Sequence, residues 1–150
     1  MELIVVRHGD AGPYTQPDHA RPLSDLGKTQ ARSTADQLAA AGYEGVTIWH
    51  SPYLRAAETA RILAQVLKAA TEVIDGVTPD GRPEQFVSRL DQPGVPEQLI
   101  LVSHMPFVAN LVALLSGERA VPFMTAEARI LRTETVWYPG EAALIKSLTP

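Results

Sequence analysis

The residues of this chain that are best equipped for chemistry are arginines and histidines that follow apolar runs. Arg7, His8 and Gly9 come directly after a short apolar segment at the start of the chain, which is typical of a buried strand. Arg55 lies near the start of a predicted helix that follows a second strand, and His104 follows the unbroken apolar run of a later strand. In open α/β sheets, ligands bind beyond the carboxyl ends of the strands. Three strand ends that each carry Arg or His therefore predict a site for an oxyanion such as a phosphoryl group.

These side chains could together carry out phosphoryl transfer. The flat guanidinium group of Arg binds two oxygens at once and keeps its proton near neutral pH, so Arg7 and Arg55 are predicted to clamp the phosphate. His8 is the predicted nucleophile, because a neutral imidazole can attack phosphorus without a separate base and cationic neighbours lower its pKa. His104 is predicted to donate a hydrogen bond to a phosphoryl oxygen. Gly9 would leave room for the phosphate or turn the chain sharply.

Two further groups are candidates for the same site. Arg21, in the loop before the first predicted helix, could supply a third guanidinium group. Pro52, at the first position of a helix capped by Ser51, would direct a helix N-terminus towards the phosphate. The remaining histidines, His19 and His50, are expected at the surface or at a strand end rather than as ligands.

Each of these assignments has an alternative that involves no catalysis. His8 could simply end a strand, and His104 could cap its helix through backbone hydrogen bonds. Arg55 could pair with Glu58 on the helix surface, and we expect both contacts, with Glu58 holding Arg55 while Arg55 holds phosphate. No partner base is evident for a Ser-His-Asp triad. The hydroxyl groups near the motifs are therefore interpreted as caps and supporting groups: Ser51, Ser103 and Thr59.

The elements that must position these residues alternate along the chain. The first helix is predicted to begin at Ser24 or Asp25 and to end at residue 41. Its inner face would carry Leu26, Ala31, Ala35 and Leu38. Strands are predicted over residues 2–6, 46–49, 71–74 and 98–103, helices over 52–68, 84–90 and 106–115, and an antiparallel pair of edge strands over 128–133 and 142–147. Alternating strands and helices predict an α/β sandwich with a mainly parallel sheet.

Length and composition limit the class of protein. At 150 residues, with 45% hydrophobic and 20% charged residues, the chain is expected to form one domain over residues 1–150. A net charge of −4 argues against binding to nucleic acid or anionic membranes. The absence of cysteine excludes a thiol nucleophile and a disulfide. No secretion signal or membrane-spanning apolar run is evident, so a cytoplasmic location is expected. The chain is also expected to be a monomer.

Taken together, the motifs resemble those of the histidine phosphatase superfamily, also called the phosphoglycerate mutase-like family. The segment Arg21-Pro22-Leu23-Ser24 and the chain length resemble its small bacterial members, the SixA-type phosphohistidine phosphatases. The resemblance extends from residue 1 to about residue 135 and implies a three-layer α/β/α sandwich with the phosphoglycerate mutase-like fold. The other matching segments are, in the order of the family, Arg7-His8-Gly9, Ser51-Pro52-x-x-Arg55-x-x-Glu58-Thr59 and Ser103-His104-x-Pro106.

The resemblance implies an enzyme that hydrolyses phosphohistidine on a partner protein through a covalent phosphohistidine at His8. It supports the site assignments of Arg7, Arg55 and His104, and supports Arg21 through the small bacterial members. The implied partner is a histidine-phosphotransfer domain or another phosphorelay component. Two alternatives stay open: a phosphatase of small phosphate esters, such as sugar or nucleotide phosphates, and a module that binds phosphate without turnover.

The general acid is the one part of the site that the sequence does not supply. Larger members of the family use a carboxylate to protonate the leaving oxygen. Asp18, Asp80 and Glu84 are candidates in or near loops, although each is better explained as a solvated carboxylate. An imidazole leaving group departs more easily than an alkoxide, which favours phosphohistidine as substrate. No metal is expected, because the arginines would repel a cation, and no cofactor is implied.

Overall fold

The computed structural model describes residues 1–150 and contains one six-stranded sheet with helices on both faces. The strands are β1 (Glu2–Arg7), β2 (Thr47–His50), β3 (Ala70–Val73), β4 (Gln98–Ser103), β5 (Ala128–Arg132) and β6 (Ala143–Leu148). The α-helices are α1 (Asp25–Ala40), α2 (Leu54–Leu67), α3 (Pro83–Leu90) and α4 (Phe107–Ser116), and a 3-10 turn at Asp18–Ala20 lies in the loop before α1.

The sheet has the strand order β3-β2-β4-β1-β5-β6. The first four of these strands are mutually parallel, and β5 and β6 form an antiparallel pair at one edge, which confirms the mainly parallel sheet predicted from the sequence. The centre of the sheet is formed by β1 and β4, whose apolar runs have side chains buried on both faces. Their carboxyl ends lie side by side, because Arg7 is in register with Ser103.

Two apolar clusters, one on each face of the sheet, make the fold a three-layer α/β/α sandwich as predicted. Successive side chains of a strand point to opposite faces. In β1, Leu3 and Val5 therefore pack with α3 and α4, whereas Ile4 and Val6 pack with α1 and α2. All four of these side chains are fully buried. This double coverage fixes β1 rigidly and so fixes the residues that follow it.

The second helix begins two residues later than predicted. The hydroxyl oxygen of Ser51 accepts a hydrogen bond from the backbone N–H of Tyr53 over 3.2 Å, which holds Pro52 in a turn ahead of the helix. Tyr53 keeps an extended backbone conformation and α2 starts at Leu54. The prediction that Pro52 opens the helix was therefore wrong, and Arg55 is the second residue of the helix.

The first helix has the predicted start and the predicted cap at Ser24, and it ends one residue before the predicted end, but Leu26 does not face inward. The Leu26 side chain is 58% exposed, and Gly27 is buried in its place. A Cβ atom at Gly27 would lie 2.0 Å from the carbonyl oxygen of Asp10. The close approach of α1 to the loop after β1 therefore requires glycine at this position, and it rotates Leu26 outward.

None of the helices combines the length and the apolar character that crossing a membrane would require.

Candidate active site

The site forms where three parallel strands end next to one another. The backbone N–H of His8 donates to the carbonyl of Ser103, and that of Ser51 donates to the carbonyl of Val102. The residues directly after β1, β2 and β4 are thereby brought into contact. The imidazole rings of His8 and His104 meet edge to face with their centroids 5.0 Å apart.

Hydrogen bonds to the two ring nitrogens of His8 determine its tautomer. Nδ1 lies 2.6 Å from the carbonyl oxygen of Gly9, which can only accept, so Nδ1 carries the proton. Nε2 is then unprotonated, and its lone pair accepts a hydrogen bond from Nε of Arg55 over 3.2 Å. The side chain is only 8% exposed. His8 therefore presents an unprotonated nitrogen beside a guanidinium group.

The surroundings of His8 keep this imidazole neutral. The pKa of His8 is lowered to about 4. Burial is the largest cause, and the hydrogen bond to Gly9 opposes it. Three nearby guanidinium groups add to the lowering because they repel an imidazolium: Arg55, Arg7 and Arg21. At neutral pH Nε2 is consequently unprotonated, and its lone pair can attack an electrophile that replaces the hydrogen bond from Arg55.

The guanidinium group of Arg55 is buried in the site and held by a loop carboxylate. Its NH1 group donates to the backbone carbonyl of Asp18 over 2.9 Å, and its NH2 group lies 3.3 Å from the Asp18 carboxylate. The predicted contact with Glu58 was wrong, because the Glu58 carboxylate accepts from the backbone N–H of Leu23 instead. The physical reason is that the unpaired backbone donor at the entrance to α1 lies within reach of Glu58.

The side chain of Arg7 is oriented by a hydrogen bond to a backbone carbonyl. Its NH1 group donates to the carbonyl of Phe123 over 2.7 Å, and its Nε atom is buried without a hydrogen-bond partner. The loop that supplies this carbonyl is held by Arg129, whose guanidinium group donates to the carbonyls of Val121 and Pro122. Arg129 also forms a buried ion pair of 2.6 Å with Glu127.

Sequence reasoning missed this buried ion pair. A signal was present, since Glu127 and Arg129 are two residues apart at the start of a strand and so lie on the same face of the sheet. Two opposite charges on one face of an otherwise apolar strand indicate a buried pair. The pattern could not show that the pair supports the loop that contacts Arg7.

His104 binds a neighbouring hydroxyl group rather than capping its helix. Its Nε2 atom lies 2.7 Å from the hydroxyl oxygen of Ser51, and its Nδ1 atom is buried without a partner. The N-cap position of α4 is taken by Pro106. The pKa of His104 is lowered to about 3, chiefly by burial, and electrostatic interactions with His8 and Arg55 act in the same direction. His104 is therefore also neutral at pH 7.

Arg21 lies at the edge of the same cluster. Its Nε atom forms an ion pair of 2.9 Å with Asp18, and its charge contributes to the low pKa of His8. Burial alone would raise the pKa of Asp18, but the hydrogen bonds and charges of Arg21 and Arg55 outweigh it and lower this pKa. Asp18 is thus ionised at neutral pH and has no proton to donate to a leaving group.

The other two carboxylates considered as general acids have contacts elsewhere. Asp80 accepts a hydrogen bond from the hydroxyl group of Thr78 within its own loop. Glu84 is exposed in the first turn of α3 and lines a cavity of about 490 Å³ with Leu114 and Trp137. Neither has a hydrogen bond or ion pair with the residues around His8.

The contacts of Gly9 differ from those predicted. A Cβ atom at Gly9 would lie 2.6 Å from the carbonyl oxygen of Gly27, so the missing side chain makes room for α1 and not for a ligand. Its N–H donates to the hydroxyl of Thr59, which in turn donates to the carbonyl of Arg55. Gly9 has no positive φ angle and makes no sharp turn of the predicted kind. It joins β1 to α2 and orients His8 through its carbonyl.

The remaining histidines lie outside the cluster, as expected. His19 is exposed, and Nδ1 of His50 bonds to the backbone carbonyl of Ser51. The structure therefore brings together Arg7, His8, Arg55 and His104, with Arg21 at the margin. A neutral imidazole beside several guanidinium groups can attack an electron-poor centre that carries negatively charged oxygens, which describes a phosphoryl group.

Known proteins resemble this chain in sequence over most of its length. Residues 3–78 match the model of the histidine phosphatase superfamily (branch 1). The phosphohistidine phosphatase SixA of Escherichia coli (strain K12) is 32% identical over 133 residues, which cover 85% of this chain and 82% of that protein. A SixA homologue from Haemophilus influenzae is 30% identical over 133 residues and 79% of each chain.

The fold has a close counterpart among solved structures. A structure of the protein histidine phosphatase SixA in complex with tungstate superposes with a TM-score of 0.89 at 29% identity, and the alignment covers 100% of this chain and 97% of that one.

Proposed function

The chain belongs to the histidine phosphatase superfamily and is a phosphatase, and we propose that it removes phosphate from phosphohistidine on a partner protein. The reaction would pass through a phosphohistidine formed on His8. The relatives named for this activity support the choice of substrate. A histidine-phosphotransfer domain or another phosphorelay component is the proposed partner.

One observation carries the assignment of the phosphate-binding groups. Only two buried side-chain nitrogen or oxygen atoms in the chain have no hydrogen-bond partner, and they are Nε of Arg7 and Nδ1 of His104. Unpaired buried polar groups are costly, at about 1–3 kcal/mol each. Both belong to residues that flank His8. We propose that the oxygens of a bound phosphoryl group satisfy both atoms.

The proposed reaction begins with attack on phosphorus by the lone pair of His8 Nε2. A bond forms between Nε2 and phosphorus while the bond from phosphorus to the substrate imidazole breaks. Arg7 and Arg55 hold the phosphoryl oxygens, whose negative charge must be stabilised throughout the transfer. The electron pair of the broken bond stays on the substrate imidazole, which leaves as a neutral group if its distal nitrogen carries a proton.

Water completes the cycle in the second half of the proposed reaction. Its oxygen attacks the phosphorus of the phosphoenzyme, the bond between phosphorus and Nε2 breaks, and inorganic phosphate leaves. The proton of the water is lost to phosphate or solvent. His8 returns to the tautomer with a proton on Nδ1, because the carbonyl of Gly9 accepts that hydrogen bond in either half of the cycle.

The state of Asp18 supports a nitrogen leaving group over an oxygen one. An alkoxide needs a proton donor, and the carboxylate nearest to the arginines is held ionised by Arg21 and Arg55. A protonated imidazole leaves without such help. This argument disfavours small phosphate esters as the main substrates.

Exposed apolar side chains beside the site support a substrate carried on a protein. Tyr14 is 64% exposed, with its ring 5.7 Å from the guanidinium carbon of Arg21. Met124 is 58% exposed and directly follows Phe123, whose carbonyl binds Arg7. A protein surface that presents phosphohistidine to His8 would cover both side chains. The monomeric state and the cytoplasmic location stay predictions.

The proposal is tested with a phosphohistidine protein and a simple phosphomonoester, both radiolabelled, presented side by side. We expect rapid release from phosphohistidine, slow release from the ester, and transient acid-labile label on the enzyme. The label and the turnover should be absent in His8→Ala. The matched control is His19→Ala, which removes an exposed histidine and should behave like the wild type.

Three other outcomes would contradict parts of this proposal. Label and turnover from the ester alone would keep His8 as nucleophile and make the chain a phosphatase of small esters. Tungstate binding without any turnover would make it a phosphate-binding module. Unchanged labelling in His8→Ala would refute the role of His8.

A further inference from the structure

Ser51 is a fully buried serine whose hydroxyl group lies between a backbone amide and an imidazole. Its oxygen accepts a hydrogen bond from the N–H of Tyr53 over 3.2 Å. The same oxygen lies 2.7 Å from Nε2 of His104. From the sequence, Ser51 was interpreted as a helix cap, but no helix begins there and neither contact is with the first turn of α2.

One arrangement of protons satisfies both the hydroxyl group of Ser51 and Nε2 of His104. The hydroxyl proton of Ser51 has no acceptor other than Nε2 of His104. If Nε2 instead carried a proton and donated it, the hydroxyl proton of Ser51 would be buried without a partner, at a cost of about 1–3 kcal/mol. Ser51 therefore donates to Nε2, and the proton of the neutral imidazole is on Nδ1.

We propose that Ser51 is a positioning residue that fixes His104 in the tautomer with a proton on Nδ1, so that His104 can donate to a phosphoryl oxygen. The kinetic consequence rests on the proposed phosphatase function, whereas the tautomer itself does not. Nδ1 is the nitrogen of His104 that is buried without a partner, so the hydroxyl of Ser51 decides whether that atom is a donor or an acceptor.

The two histidines of the site then share one tautomer but present opposite nitrogens. The carbonyl of Gly9 binds Nδ1 of His8 and leaves a lone pair on Nε2. The hydroxyl of Ser51 binds Nε2 of His104 and leaves an N–H at Nδ1. One ring can therefore attack phosphorus while the other donates to a phosphoryl oxygen. With the other tautomer, the lone pair of His104 would face phosphate oxygens and repel them.

The tautomer is measured first, by nitrogen NMR of the wild-type protein labelled with ¹⁵N-histidine at neutral pH. Protonated and unprotonated ring nitrogens differ widely in chemical shift, and the signals of His104 are identified by their loss in His104→Gln. We expect Nδ1 of His104 to be protonated and Nε2 to be unprotonated. The opposite result would overturn the proposal without any variant of Ser51.

The variant Ser51→Ala tests the dependence on the hydroxyl group. We expect a second tautomer of His104 to become populated and kcat to fall about 10- to 100-fold, by analogy with the loss of a group that orients a metal-bound histidine. Ser51→Thr keeps a hydroxyl group and should restore the tautomer. An unchanged His104 spectrum in Ser51→Ala would refute the proposal.

The control variant is Ser103→Ala. Ser103 is equally buried and is the last residue of β4, but its hydroxyl donates to the carbonyl of Val77. It should lose stability without any change in the tautomer of His104. A similar tautomer shift in both variants would mean that general loosening of the site, and not the hydroxyl of Ser51, controls His104. If the tautomer behaves as expected but no phosphate substrate is turned over, the proposed function fails and the tautomer assignment stands.

Discussion

The two buried histidines should make the folded protein sensitive to mild acid. In the folded state the pKa of His8 is about 4 and that of His104 is about 3, against an ordinary value of 6.5. As the pH falls below 6.5, the unfolded chain binds protons at both residues while the folded protein does not. Proton binding to the unfolded state favours unfolding, so stability decreases with falling pH in this range.

The size of this effect follows from the two pKa differences. One pKa unit corresponds to about 1.4 kcal/mol, and pH 5 lies about 1.5 units below the ordinary pKa of imidazole. Because neither ring is appreciably protonated at pH 5 in the folded protein, each histidine lowers the free energy of unfolding by about 2 kcal/mol. Together they remove about 4 kcal/mol, a large share of the 5–15 kcal/mol typical of a domain.

Urea unfolding at pH 7 and pH 5 measures this loss. His8→Gln and His104→Gln should each reduce the pH-dependent loss by about 2 kcal/mol relative to the wild type. His19→Gln, at an exposed position, should leave it unchanged. Protonation of carboxylates also changes stability between pH 7 and pH 5, but it does so in the wild type and the variants alike and therefore cancels in the comparison. If His8→Gln and His104→Gln both keep the wild-type difference between pH 7 and pH 5, the two imidazoles are not held neutral by the fold and the electrostatic account of the nucleophile is refuted.

Three substitutions test other contacts of the site. Asp18→Asn should tighten inhibition by tungstate about 3- to 10-fold, because it removes a negative charge that competes for the arginines; weaker inhibition would mean that the carboxylate mainly orders them. Arg129→Met should lower the free energy of unfolding by about 3–5 kcal/mol in urea unfolding, since it leaves Glu127 buried and unpaired. It should also weaken inhibition by tungstate, because Arg129 holds the loop whose carbonyl orients Arg7. Gly27→Ala should cost about 3 kcal/mol in urea unfolding because its Cβ has no room, and a cost under about 1 kcal/mol would show that α1 shifts freely.

The positions of the main site residues could be predicted because they follow from chain direction. Parallel strands with buried apolar runs bring their carboxyl ends together at one edge of the sheet, and that rule places His8 next to His104 without any knowledge of side-chain contacts. Arg55 was correctly expected near the start of α2, although its helix starts later. Local patterns of apolar residues were sufficient for this part of the argument.

The contacts between those residues could not be predicted, because they depend on distances of a few tenths of an ångström between segments far apart in the chain. Nothing near Gly9 in the sequence indicates that α1 approaches it so closely. Glu58 lies one turn from Arg55 on the same helix, and helical spacing alone favours their pairing. In the structure Arg55 instead pairs with Asp18, which lies 37 residues away in the sequence, because the loop before α1 folds back over the site.

The hydrogen bonds that set the histidine tautomers are a further level that sequence patterns do not reach. An Arg-His-Gly or Ser-His motif specifies which side chains meet, but the carbonyl of Gly9 and the hydroxyl of Ser51 determine which nitrogen of each ring carries a proton. The same burial that makes both rings neutral also makes their tautomers important, since a neutral imidazole has one donor and one acceptor. An exposed imidazolium would have two donors and no lone pair. The acid sensitivity of the fold and the availability of the His8 nucleophile therefore have one physical origin, which is the burial of the ring. A variant that exposes His8 to solvent should lose the acid sensitivity and should also have a weaker nucleophile.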